Sequence, residues 1–176
     1  MNKVESRNQV TANFPAGEYY IGDLCYVLTE SEWSELLQQC IDRDTNQCYD
    51  GEFIVSNIRI FMASTAYGDG SFKDNLHRLY GDDSGSLGFC PTSMISQEKL
   101  EEINEFNLGQ IENIESDFRI DVDNGYFEII VSGWQPYLVI NTQGEDEEEE
   151  YDSYDDYDCG DYYDDSYDRE EEEIWF

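Results

Sequence analysis

Between Glu145 and Phe176 the chain carries 18 acidic residues and a single basic one, Arg169, with almost no aliphatic side chain before Ile174. Such a segment cannot bury enough apolar surface to offset the entropy of ordering it, so its composition predicts disorder. The division that follows is a flexible N-terminus over 1–14, one compact domain over 15–143 and a disordered acidic tail over 144–176, within the size of a single core plus an appendage. The whole 176-residue chain has a formal charge of -33. A field of that sign repels nucleic acid and speeds encounter with basic proteins, the partners expected here. Tail tyrosines such as Tyr154, Tyr157, Tyr162 and Tyr163 add stacking and cation–π contacts for arginine and lysine. The terminal pair Trp175 and Phe176 has the form of an aromatic docking end.

No stretch approaches the ~18 apolar residues of a membrane span, and MNKVESRNQV lacks the apolar centre of a signal peptide, so a cytoplasmic protein without membrane partners is expected. Five cysteines, at 25, 40, 48, 90 and 159, are odd in number and include no CxxC pair. Reduced thiols suit that pattern better than a disulfide framework, and with His77 as the only histidine a structural zinc site is excluded. No cofactor is implied: the chain has neither a Walker loop nor a dinucleotide glycine fingerprint.

The body reads as short strands with two helices. Thr29 and Glu32 form a T-x-x-E capping box, followed by an apolar stripe of Trp33, Leu36, Leu37, Cys40 and Ile41. A second, shorter helix after Ser96 is expected to turn Leu100, Ile103 and Phe106 inward and to stop near Gly109. In FRIDVDNGYFEIIV the Asn124-Gly125 pair supplies a type I′ turn, which sets Val122 opposite Phe127, Ile120 opposite Ile129 and Phe118 opposite Val131. A second hairpin turns at Ser56-Asn57, with Phe53, Val55, Ile58, Ile60 and Met62 on one face. Further strands are expected at 18–21, 25–28, 86–90 and 137–141. The fold class is therefore α+β, a mainly antiparallel sheet or partly open barrel with one amphipathic and one short helix.

Residues 64–88 form a long polar stretch rich in glycine and aspartate; a structureless loop of that length is uncommon in a compact domain and, where it occurs, is more often functional than a short one. Within it Tyr80-Gly81-Asp82-Asp83 matches the metal-binding turn of RNA-dependent polymerases. The acidic field, the short chain and the polar flanks exclude that activity. Two readings remain for the stretch. In one, Asp69, Asp74, Asp82 and Asp83 offer oxygens to a hard cation or polyol; in the other, two turns satisfy their own amides through aspartate side chains. Asp23, Thr65, Tyr67, Asp69, Asp83 and Ser84 are the candidate ligand-binding residues. Catalytic pairings of Cys25 with His77, or of Asp23 with Asp83, have suitable residue types, but core packing and turn chemistry explain those residues without catalysis.

AGEYYIGDLCYVL at 16–28, STAYGDGSF at 64–72 and YGDDSGSLGF at 80–89 resemble, in content and order, a family of small uncharacterised phage and bacterial proteins. Its members read close to YIGDPCYV, STAYGDG and YGVDSG. Leu24 stands where the family usually has proline, and Asp82 where it usually has an apolar residue, which makes the tetrapeptide a local coincidence. The resemblance implies a compact fold and a kind of genome but no established activity. Together with the charge it leads to the expectation of a non-enzymatic, phage-associated binding or accessory protein. The alternative is a small enzyme or ligand-binding protein that uses the 64–88 region.

Overall fold

The computed structural model describes residues 9–133 and 135–144. The tail positions Tyr154, Tyr157, Tyr162, Tyr163, Trp175 and Phe176, and the disorder expected of 145–176, lie outside them. Eleven strands run in chain order: β1 (Gln9–Phe14), β2 (Gly17–Gly22), β3 (Gly51–Val55), β4 (Ile58–Ser64), β5 (Gly70–Lys73), β6 (Leu79–Asp82), β7 (Ser86–Pro91), β8 (Gln110–Ile114), β9 (Phe118–Asp123), β10 (Tyr126–Ile130) and β11 (Leu138–Asn141). Two helices, α1 (Glu30–Cys40) and α2 (Gln97–Phe106), interrupt them. The sheets are ordered β1-β9-β10-β11, β3-β4-β7-β2-β8 and β5-β6, and none closes into a barrel. Every strand pair is antiparallel.

Side-chain alternation explains the layering. In β2, Tyr19 and Ile21 enter one apolar cluster and Tyr20 the other; in β4, Phe61 and Ala63 go one way while Ile60 and Met62 go the other. The five-stranded sheet is therefore covered on both faces, which is why β4 and β7 read as nearly continuous apolar runs. One face meets the four-stranded sheet through Ile120, Val122, Phe127 and Ile129. The other meets α1 and α2 through Leu36, Cys40 and Ile103. The outer face of the β9–β10 hairpin keeps Arg119, Asp121 and Glu128 half-buried or less, giving the clean alternation of a sheet wetted on one side.

Both predicted hairpins form with the expected register, Val122 opposite Phe127 and Ile120 opposite Ile129 in one, Phe53 opposite Ile60 and Val55 opposite Ile58 in the other. Asn124 (φ 49°) and Gly125 (φ 79°) take the left-handed conformations that a type I′ turn requires, and so do Ser56 (φ 47°) and Asn57 (φ 62°). The pairing of β9 with β10 ends at Arg119 and Ile130, so Val131 packs against the cluster without a ladder partner. The capping box on α1 is complete in both directions. From its last turn Gln39 reaches over to β3, accepting from the Ile54 amide and donating to the Ile54 carbonyl, which closes that edge of the sheet.

Five expectations are corrected. Residues 9–14, assigned to a flexible N-terminus, form β1 and pair with β9 along its whole length. Residues 25–28 do not form a strand; Leu24–Tyr26 is a single 3-10 turn. The 64–88 stretch is not a structureless loop, because β5 and β6 pair within it from Gly70 and Asp82 to Lys73 and Leu79. Phe106 is 61% exposed rather than inward. The helix stops earlier than expected, at Asn107, whose left-handed conformation (φ 54°) provides the cap in place of Gly109.

Ile120 is fully buried between the sheets. Replacing it by alanine should cost about 2–5 kcal/mol in denaturant melts, whereas Phe106→Ala should stay within about 0.5 kcal/mol. Equal effects would contradict the assignment of the two positions to interior and surface.

Candidate functional site

Asp23 stands at the junction of β2 and the 3-10 turn and is 0% exposed. Burying an ionised carboxylate is costly unless donors surround it, and here four do. Oδ1 accepts from the Cys25 amide at 2.9 Å and the Ser84 hydroxyl at 2.8 Å; Oδ2 accepts from the amides of Asp83 and Ser84, both at 2.8 Å. The cap at Cys25 is also why the apolar run LCYVL curls instead of extending.

Asp82 ends β6 beside it and is 1% exposed. Its Oδ1 gathers the amides of Ser84, Gly85 and Ser86 at 2.9–3.1 Å, so the turn after β6 is wound around one carboxylate oxygen. Its Oδ2 has no donor. Burial first, and then the adjacent Asp23 carboxyl, push Asp82 up to about 7. A proton on Asp82 resolves the geometry, since the oxygen without a donor then donates to Asp23. The resembling motifs carry an apolar residue at this position, and the position is an interior one.

The 64–72 stretch joins the same place. The Thr65 amide donates to the Gly85 carbonyl at 3.0 Å, and its hydroxyl donates to the Gly68 carbonyl at 2.6 Å. Gly85 takes the left-handed conformation (φ 73°) that favours glycine, beside Gly68. Gly88, in β7, allows close packing under Leu24: a Cβ would meet the Phe61 carbonyl oxygen at 2.5 Å and the Leu24 Cδ1 at 2.6 Å. The three sequence stretches at 16–28, 64–72 and 80–89 thus converge on one corner.

Of the six candidate ligand residues, Asp23, Thr65, Asp83 and Ser84 meet through this network. Asp23 is buried and Thr65 nearly so, whereas Asp83 and Ser84 are exposed; Tyr67 (71% exposed) and Asp69 lie on the outer loop beside them. Tyr26, half-buried, lies beside Asp83, and burial together with that carboxylate raises its phenol. Ser86 and Tyr26 are members that motif reading missed, and motif reading names Asp82 only as one of four candidate cation ligands. The signal for Asp82 is its place next to Asp83 in a turn dense with small residues.

The proposed four-aspartate cation site does not assemble. Asp74 lies at the opposite end of the β5–β6 hairpin, where it bonds the Arg78 amide and side chain and the Tyr80 hydroxyl at 2.8–3.0 Å. Although burial acts the other way, those bonds hold its carboxyl below the usual range. Arg78 also pairs with Glu112, which in turn accepts from the Tyr137 hydroxyl. Among the described residues no group of three His, Cys, Asp or Glu side chains is arranged to hold a metal ion. His77 is exposed on the same hairpin tip, φ 64°, roughly four strand residues or about 13 Å along β6 from the Asp82 end that Cys25 faces. Burial and the neighbouring Asp23 raise the Cys25 thiol, which keeps it protonated. Asp23 is 0% exposed and its partners come from the protein itself, so it is not placed to meet a ligand from solvent as the acid–base partner of Asp83.

No protein-family model, curated protein or solved structure matches the chain.

Asp82 ionises near 3.8 in an unfolded chain and near 7 in the fold. The folded state therefore binds the extra proton between those values, and this group lowers stability as pH rises from about 4 to about 7, with no further change above. Asp82→Asn keeps the amide acceptor and supplies a permanent donor. The difference in stability between variant and parent should move in the variant's favour across that window and level off above pH 7, read from urea melts at intervals of one pH unit. A pH-independent difference would contradict the shared proton.

Proposed function

We propose that the chain is a non-enzymatic binding or accessory protein, of the phage and bacterial kind its motifs resemble, that engages basic partners through its acidic surface and tail. The observation that carries this reading is the distribution of charge. Residues 9–144 alone hold 23 acidic side chains against six basic ones. Four of the six already face carboxylates of the same chain: Arg59 pairs with Glu52, Arg78 with Asp74 and Glu112, Lys99 with Glu102, and Arg119 with Asp121. The positive charge is largely neutralised within the fold, and the outward face of α2 adds Glu98, Glu101 and Glu105 to the negative field.

The corner built on Asp23 supports the same reading. Its buried carboxylates are occupied by the protein's own amides, so they serve to hold a rim in which Tyr67, Asp69, Asp83 and Ser84 face solvent. A rim of carboxylates, a hydroxyl and a phenol suits the ammonium and guanidinium groups of a basic protein surface.

A decamer of arginine or of lysine, labelled for fluorescence anisotropy, tests this on the full-length protein. Affinity should fall at least tenfold between about 0.05 and 0.5 M salt as the Debye length shrinks, and the arginine probe should bind more tightly than the lysine probe. Replacing Tyr154, Tyr157, Tyr162 and Tyr163 by serine should narrow the arginine preference, and Asp69→Asn with Asp83→Asn should weaken both probes. Absent or salt-indifferent binding would overturn the proposal.

A further inference from the structure

We propose that Asp23 and Asp82 form a proton-controlled latch: one proton held between the two carboxyls fixes the turn over 83–86, and its loss as pH rises toward neutrality frees that turn from the rest of the fold. The two groups come from distant parts of the chain, Asp23 from the end of β2 and Asp82 from the end of β6, and both are buried. They meet at one donor. The Ser84 amide donates to Asp23 Oδ2 at 2.8 Å and to Asp82 Oδ1 at 3.1 Å, so the carboxyls stand side by side around a single nitrogen. Asp82 Oδ2 is buried and has no hydrogen-bond partner. Ionised, that oxygen faces a second carboxylate away from water; protonated, it becomes the missing donor.

Nothing nearby offsets a second negative charge. Among the described residues neither Asp23 nor Asp82 joins an ion pair. The titratable groups facing the pair are Tyr20 from β2, Cys25 and Tyr26 from the 3-10 turn, and Asp83 from the turn itself. Burial raises Tyr20, Cys25 and Tyr26, so these three stay neutral through the physiological range, and Asp83 is a further carboxyl. The remaining elements bring no charge: β7 presents the Ser86 amide, the 64–72 stretch the Thr65 hydroxyl, and β5 places Gly70 opposite Asp82.

The pair holds four successive amides. Besides Ser84, Asp23 takes the Asp83 amide, and Asp82 takes those of Gly85 and Ser86. Asp83 and Ser84 lie on the exposed rim, whereas Ser86 is already buried in β7. Opening this segment carries Asp82 into water, where it ionises near 3.8, while the closed corner keeps its proton to about 7. Opening therefore releases a proton between those values. Each pH unit in that window favours the open turn by up to about tenfold, and above the window both forms are ionised and the dependence ends. The latch is thus shut in mild acid and loosest from neutrality upward, whatever the rim binds.

Amide hydrogen exchange on the full-length protein between about pH 5 and 8, expressed as protection factors so that the intrinsic pH dependence cancels, tests the latch without any partner. Protection of the Asp83, Ser84, Gly85 and Ser86 amides should fall at least about tenfold from pH 5 to 7 and then level off, while the β9–β10 amides keep theirs. Asp82→Asn donates to Asp23 without a titrating proton, so its four profiles should be flat. In the parent, the Asp82 carboxyl carbon followed by NMR should titrate near 7, a readout that decides the matter even if the variant does not fold. A flat parent profile, the same fall in Asp82→Asn, an equal fall in the β9–β10 hairpin, or an Asp82 carboxyl that titrates near 4 would overturn the proposal.

Discussion

Asp23 is the joint between β2, an interior strand of the larger sheet, and the turn that follows β6. With no exposure and four donors, it satisfies the amides of Cys25, Asp83 and Ser84 at once. Amides buried without an acceptor would each carry the full cost of desolvation. The 3-10 turn, the placing of Leu24 over Gly88 and the path from β6 into β7 all depend on that carboxylate being where it is. Asp82 supports it from below by holding the next three amides on its other side, and Thr65 closes the corner by binding Gly85 and Gly68.

The acidic residues therefore divide into two populations with different physical roles. Asp23, Asp74 and Asp82 are interior groups that organise backbone, two of them at opposite ends of the β5–β6 hairpin. Their environments push in opposite directions: Arg78 and Tyr80 hold Asp74 ionised, whereas Asp82, next to another carboxyl, keeps its proton close to neutrality. Among the described residues the remaining carboxylates, Glu112 apart, are largely on the surface, and these contribute to the field on which the proposed engagement of basic partners depends. Loss of a surface carboxylate changes that field slightly; loss of an interior one alters the hydrogen bonding of the turn it holds.

What was legible in the sequence was what local physics determines. Asn124-Gly125 specified its hairpin because both residues accept positive φ, and Thr29 with Glu32 specified the start of α1. Strands β1 (QVTANF) and β8 (QIENI) escaped notice because each is a sheet edge that pairs on one side only and carries polar side chains among its apolar ones. The β5–β6 hairpin hid for a related reason: Phe72 and Tyr80 are its two large buried side chains, too few to reveal a period of two amid glycine and aspartate. The run at 24–28 misled because an apolar stretch of that length suits a strand as well as a turn; the Asp23 cap on the Cys25 amide decides it, and that carboxylate is held by a partner 60 residues further on, at Asp83. For the same reason the site was visible in the sequence only as three separate stretches, and the fold was needed to join them.

Amide hydrogen exchange on full-length protein carrying Asp23→Asn tests the central role of this carboxylate most directly. An asparagine side chain has only one accepting oxygen, so whichever way its amide turns, one of the two segments loses its acceptor. The account predicts that the Cys25, Asp83 and Ser84 amides, taken together, exchange markedly faster than in the parent, while the β9–β10 hairpin amides from Phe118 to Ile130 keep their protection. Unchanged protection at all three amides would contradict it.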